Sequence, residues 1–241
     1  MKTKANLHDA VCNPGMPWPD LIIDDSDIEG AGKGLFSNKL ISKGLPVCEY
    51  KGDLLSSQEV IDLSPKDQLY VLNLGDPPMA SLSGKILTCI NADPEKAKEI
   101  GYGGFANDLN TNYPETLIKA INEHEHKGIE FSKNSTPLIK SLNFNKKLPL
   151  ESRRKLKKQM KALTRSASNL KSIYSSYGYN AVYERISGLP CFMLISIKDI
   201  YPGDEIYVPY GFRYWQAFNK SNEQKTDTKN YPVKLKISLK I

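Results

Sequence analysis

Tyr201-Pro-Gly-Asp-Glu-Ile-Tyr-Val-Pro-Tyr-Gly-Phe-Arg-Tyr-Trp215 crowds four tyrosines, a phenylalanine and a tryptophan around one turn and one short strand. Pro202-Gly203-Asp204 reads as a turn, because proline presets φ and glycine reaches positive φ. Ile206 and Val208 then alternate as one face of a strand would. Tyr210, followed at once by Gly211, sets a phenol beside backbone that a ligand can approach closely. Taken alone, the stretch is an aromatic core corner; the segments before it change that reading.

Upstream, Tyr179 to Glu184 and Cys191 to Ile197 have β character. Between Thr111 and Gly178 aromatic content falls and Lys, Ser and Asn rise. In residues 151 to 174, Leu156, Met160, Leu163, Ala167, Leu170 and Tyr174 recur at steps of three and four. Arg153, Arg154, Lys155, Lys157, Lys158, Lys161 and Arg165 fall largely on the other face, which predicts an amphipathic basic helix within an inserted segment. Residues 21 to 110 read as short strands and tight turns: Leu21 to Ile23, Pro46 to Tyr50, Leu54-Leu55 and Lys85 to Ile90, with Gln68 to Leu74 a strand or a single helical turn. Asp93-Pro-Glu predicts a helix start, ended by Gly101. The spacing implies an irregular lead-in over 1–20, the first part of a domain over 21–110, a helical basic insertion over 111–178, the C-terminal part over 179–216 and a tail over 217–241. In that tail a polar linker, Asn219 to Asn230, precedes alternating Val233, Leu235, Ile237, Leu239 and Ile241.

The composition, 40% hydrophobic and 25% charged over 241 residues, is that of a globular chain with a real core. No run nears the roughly eighteen apolar residues of a membrane span, and no apolar stretch follows the N-terminal lysines. The expectation is a soluble intracellular protein, nuclear or cytoplasmic, or a secreted effector acting inside a host cell, with no membrane partner. Cys12, Cys48, Cys89 and Cys191 never form a C-x-x-C pair, so buried free thiols are expected, with no metal and no disulfide framework. His124-Glu-His126 places two imidazoles at alternate helical positions, which do not share a face, and implies exposed side chains. A net charge of +6 fits acidic or nucleic-acid partners and ordinary solubility alike.

Four pieces, in this order, resemble the SET-domain protein lysine methyltransferases: Gly30-Ala-Gly-Lys-Gly-Leu-Phe36, Val47-Cys-Glu-Tyr-Lys-Gly-Asp-Leu-Leu-Ser56, Gly104-Phe-Ala-Asn-Asp108, and Ile197 to Ile206 running into Tyr210-Gly211. The implied fold is mostly β with α insertions, the β-clip or SET fold of several small sheets and a pseudoknot. The implied cofactor is S-adenosyl-L-methionine, held by Gly32, Lys33, Gly34, Asn107, Asp108 and Trp215. A dinucleotide fingerprint fails, because position 35 is Leu and no acidic residue follows on a βαβ pattern. Asp108 stands where the family's Asn-His-Ser motif has histidine. The motif's second asparagine is Asn180, with Asn110 or Asn112 as the alternative.

By the same resemblance Tyr210 is the catalytic phenol, and Tyr50 and Tyr183 line the lysine channel. Such a channel aligns the reactants and excludes water, so the barrier falls by positioning and electrostatics. Val208, two places before Tyr210, is small where many members carry Phe or Tyr; with Tyr183 this implies monomethylation. The substrate class implied is a lysine-bearing protein or peptide, a histone tail by default. Two other readings stand beside it: a degenerate SET-like module that binds a peptide or partner without turnover, and a nucleic-acid binder acting through residues 151 to 171.

Overall fold

β10 (Phe192–Ser196) is buried at every position and pairs antiparallel on both sides, giving the order β3-β10-β9 with β3 (Pro46–Tyr50) and β9 (Ala181–Arg185). A strand flanked by partners and covered on both faces needs a continuous apolar run, and Phe-Met-Leu-Ile supplies it. This computed structural model describes residues 20–64, 67–74, 79–80, 86–93, 101–110, 112–140, 149–186 and 191–223. The expected lead-in up to residue 19, Cys12, the helix expected beyond Asp93 and the tail beyond Glu223 lie outside the described residues.

The described residues up to Asn112 and from Gly178 onward form one compact unit, and Tyr113–Tyr177 forms a second. In the first, β1 (Leu21–Asp25) and β2 (Lys33–Ser37) make a hairpin with Asp25 opposite Lys33 and Leu21 opposite Ser37. A further sheet has the order β4-β8-β5, from β4 (Asp53–Leu55), β8 (Cys89–Asn91) and β5 (Val71–Asn73). β6 (Met79–Ala80) pairs with β7 (Ile86–Leu87). The short α1 (Ser57–Asp62) opens on a capping box in which Ser56 and Glu59 exchange side-chain and main-chain hydrogen bonds. Several small antiparallel sheets with a few helices are the architecture expected of the SET fold. Cys48, Cys89 and Cys191 are buried free thiols.

Three local expectations change. Lys85 to Ile90 is not one strand: Thr88 divides it, its N–H going to the Leu55 carbonyl while its own carbonyl accepts from Leu74. The two halves thus serve different sheets. Ile206 to Val208 forms no strand, because its neighbours bond to different segments, Glu205 bridging to Phe36 and Tyr207 to Asn107. Gln68 to Leu74 is both options at once, a 3-10 turn over Asp67–Tyr70 leading into β5. A helix that the sequence reading lacked, α4 (Phe212–Glu223), starts directly after Gly211, whose φ of +98° turns the chain into it. Residues 219 to 223, expected in the polar linker, belong to that helix.

The second unit is a pair of helices, α2 (Glu115–Lys140) and α3 (Leu150–Ser176), packed along one another. Leu117, Ile121, Ser135, Ser166 and Tyr174 are buried in it. The seven basic residues of the expected helical face are all exposed, but Met160, placed on the apolar face by its spacing, is 55% exposed. His126 is exposed, whereas His124 is half-buried with Nδ1 2.9 Å from the Ser166 hydroxyl. Desolvation lowers the His124 pKa below the ordinary imidazole value.

Candidate active site

Residues 205 to 208 run between two other segments and bond to both. The Val208 N–H donates to the Asn107 carbonyl at 2.8 Å, and the Tyr207 carbonyl accepts from Ala181 at 3.1 Å. Asn180 closes the junction with its side chain, donating to the Glu205 carbonyl at 2.7 Å and accepting from the Tyr207 N–H at 2.8 Å. An amide group suits this place because it donates and accepts at once. Asn180 therefore occupies the crossing, and Asn112 is exposed.

On one side of the crossing lies the glycine loop. Gly30 and Gly32 both have φ of +73°, and the space into which a Cβ of either would project holds no protein atom within 4 Å. Gly34 is the opposite case: a Cβ there would strike the Glu205 carboxylate. That carboxylate, only 3% exposed, accepts from the Ser26 hydroxyl at 2.7 Å, the Asp27 N–H at 2.8 Å, the Asn107 amide at 2.8 Å and the Tyr207 hydroxyl at 3.0 Å. The Asn107 amide also reaches the Lys33 carbonyl at 3.1 Å, so Asn107 and Glu205 together fix the loop. The Lys33 ammonium points away to Asp25 on the surface, 2.7 Å distant. Glu205 was absent from the sequence-derived site; its signal was a lone acid in an otherwise apolar and aromatic run after Pro202-Gly203-Asp204.

On the other side are the tyrosines. Tyr50, at the end of β3, donates its hydroxyl to the Tyr70 carbonyl at 2.6 Å. Tyr183, in β9, donates to the Gly103 carbonyl at 3.2 Å, and Tyr210 to the Ala106 carbonyl at 2.7 Å. Tyr50 and Tyr183 meet edge to face with centroids 5.4 Å apart. All three phenols are pushed well above the usual tyrosine range, first by burial and then by neighbouring groups, which for Tyr210 are led by Asp108 and Tyr50. Such a shift favours the neutral phenol, whose oxygen is a fixed dipole. Val208 is fully buried beside them in sequence.

Asp108 accepts hydrogen bonds from the Tyr179 hydroxyl at 2.5 Å, the Asn110 N–H at 3.0 Å, the Tyr210 N–H at 2.7 Å and the Trp215 indole at 3.0 Å. Burial raises its pKa against the pull of those bonds. Trp215 stacks at 6.2 Å on Tyr210 and meets Tyr214 edge-on at 4.7 Å. Tyr179 and Tyr214, both fully buried, join this corner although the motif pattern did not single them out as site residues.

The SET-domain family model matches residues 32–211, more than half of the chain. No curated protein matches the chain. Among solved structures, the methyltransferase domain of human PR domain-containing protein 2 aligns over 87% of this chain and 86% of its own at 15% identity and a TM-score of 0.40, a likeness that assigns no residue a role. Members of the matched family generally use S-adenosylmethionine, and their substrates are proteins. The matched span holds the glycine loop, the three-segment crossing and the tyrosine cluster, and on that match the chain belongs to the SET-domain family of lysine methyltransferases.

Proposed function

We propose that the protein is an S-adenosylmethionine-dependent protein lysine N-methyltransferase with Tyr210 as its catalytic phenol, acting on a lysine-bearing peptide such as a histone tail and adding one methyl group. The observation that carries this reading is the set of three buried tyrosines, Tyr50, Tyr183 and Tyr210, each pinned by its hydroxyl to a main-chain carbonyl. Phenols held in this way keep their oxygens in fixed positions without reorganisation during reaction.

The cofactor supplies a methyl group on a positively charged sulfur. The residues present fit it: the open backbone at Gly32, with positive φ and no Cβ, lets main chain approach a ligand, while Lys33 and Asn107 lie beside that opening. Asp108 follows Asn107 in sequence and accepts the indole N–H of Trp215, the aromatic residue that the family resemblance sets against adenine. A lysine amine has an ordinary pKa of about 10.4 and attacks only after losing its proton, so a dry cluster of neutral phenols favours the neutral amine by desolvation. Their oxygens accept hydrogen bonds from the amine and weak contacts from a polarised methyl. The small side chain of Val208, where many family members carry Phe or Tyr, together with Tyr183 in β9 is the basis for a single methylation.

Transfer of labelled methyl to recombinant core histones and to a whole-cell lysate tests the reading. Tyr210→Phe is expected to lower turnover by about 100-fold, and product spectra at high enzyme should show monomethyl-lysine. A Tyr210→Phe variant as active as the wild type, or trimethyl product, would sink the corresponding part. The exposed basic row on α3 supports a nucleic-acid contact as a second reading. Its check is a salt-dependent DNA shift that disappears when Arg153, Arg154, Lys157 and Lys158 are neutralised.

A further inference from the structure

We infer that Asp108 is a positioning residue whose buried carboxylate holds the main chain of Tyr210 in place, and that this chain requires a carboxylate at a position where its family's motif carries an imidazole. The inference rests on the methyltransferase reading above and concerns a different task from cofactor contact.

Tyr210 is held at two points by one short segment. Its hydroxyl donates to the carbonyl of Ala106 at 2.7 Å, and its N–H donates to the side chain of Asp108, two residues further on, also at 2.7 Å. A phenol fixed at both ends by residues 106 to 108 cannot swing or slide relative to the crossing at Asn107. The same Asp108 oxygen takes the Trp215 indole N–H at 3.0 Å, while the other oxygen takes the Asn110 N–H and the Tyr179 hydroxyl. The carboxylate thereby joins the segment before the insertion to the chain leading into β9 and to the first turn of α4.

Donor chemistry decides which side chain can do this. Three of these four donors are N–H groups, which cannot reverse their role; only the Tyr179 hydroxyl can turn round. An ionised carboxylate offers about four acceptor sites, two on each oxygen. A neutral imidazole offers one acceptor nitrogen, so histidine would leave buried N–H groups unmet. Asparagine would set its NH2 against the Asn110 N–H in one orientation and against both the Tyr210 and Trp215 N–H groups in the other. Each unmet buried donor is costly, and at Tyr210 that cost falls on the reacting group itself.

The test compares wild type with Asp108→Asn, Asp108→His and Tyr179→Phe in the full chain. Three readouts are taken: affinity for sinefungin as a cofactor analogue, kcat and KM for labelled methyl transfer to recombinant core histones, and amide exchange of the peptide spanning Val208 to Trp215. Because Asp108 also holds the Trp215 indole beside the proposed cofactor site, both Asp108 variants are expected to weaken sinefungin and raise KM by no more than about tenfold, less than the loss in kcat. Their kcat should fall by about 100-fold, and the Tyr210 amide should exchange at least about tenfold faster. Tyr179→Phe, which removes one donor and leaves the three N–H bonds, should lower kcat by about three- to tenfold at unchanged KM. A loss confined to general stability would move KM, sinefungin binding and exchange across the whole chain together. Asp108→His with wild-type kcat, or exchange at Tyr210 unchanged in either Asp108 variant, overturns the inference. Should the Asp108 variants not fold, Tyr179→Phe decides, and wild-type kcat with wild-type exchange overturns it. A wild-type protein that methylates no histone and binds no sinefungin sinks the methyltransferase reading instead, and amide exchange then decides the Asp108 clamp alone.

Discussion

Gly30, between β1 and β2, and Gly34, within β2, require glycine for different reasons. Gly30 has φ of +73° with open space beside it, so alanine there is strained only by its backbone. Gly34 has no room, because the Glu205 carboxylate occupies the place of its Cβ, and that carboxylate cannot withdraw without giving up bonds from Ser26, Asp27 and Asn107. Gly30→Ala is therefore expected to cost about 1 kcal/mol of unfolding free energy, and Gly34→Ala about 2–3 kcal/mol. Urea unfolding of the two variants side by side checks this; equal losses would show that Glu205 yields freely. Tyr50, Asn107, Tyr183, Tyr210 and the glycines were legible because their residue types fall in the order and spacing of the family's motifs. Glu205 and Tyr179 were not legible as site residues, because their importance lies in hydrogen bonds to chain far away: Asp27 is 178 positions from Glu205, and Asp108 is 71 from Tyr179.

At the scale of elements, periodicity worked where one partner dominates and failed where partners alternate. α3 carries its three-and-four pattern through most of its length, and β10 reads as the buried run it is. Residues 206 to 208 have a strand's alternation but no strand, since the segment is shared between Asn107 and Asn180. The helical pair holds a pH-sensitive contact that spacing also missed. His124 shares a hydrogen bond with Ser166, and burial lowers its pKa below the ordinary 6.5. The unfolded chain thus takes up the proton first as pH falls. The stability contributed by neutral His124 is complete above the unfolded-state value and is lost as pH drops through the lower folded-state value. Urea midpoints of the full chain, followed by helical circular dichroism, should decline below about pH 6.5. His124→Gln should flatten that decline, and an unchanged slope would exclude His124 as its source.

For the molecule as a whole, the site residues named above all belong to the first compact unit, and the helical pair is the second. The Asn110 amide lies 3.2 Å from the Tyr179 hydroxyl, so the chain returns almost to where it left. Replacing 113–177 by a short Gly-Ser linker is expected to leave one cooperative thermal transition and sinefungin affinity within about threefold of the full chain. Loss of that transition would mean that the first compact unit depends on the second. The three-segment crossing also dictates an order of events during synthesis. Asn107 meets Glu205 across 98 positions and Asp108 meets Tyr210 across 102, while the helical pair between them needs only neighbouring chain. Long-range closure is slow and local helix pairing is fast, so the insertion folds while the halves on either side wait for each other. A nascent chain that has not yet supplied residues 205 to 215 therefore carries the local contacts of the helical pair and an unassembled crossing, and the Asp108 carboxylate waits for the Tyr210 and Trp215 N–H groups.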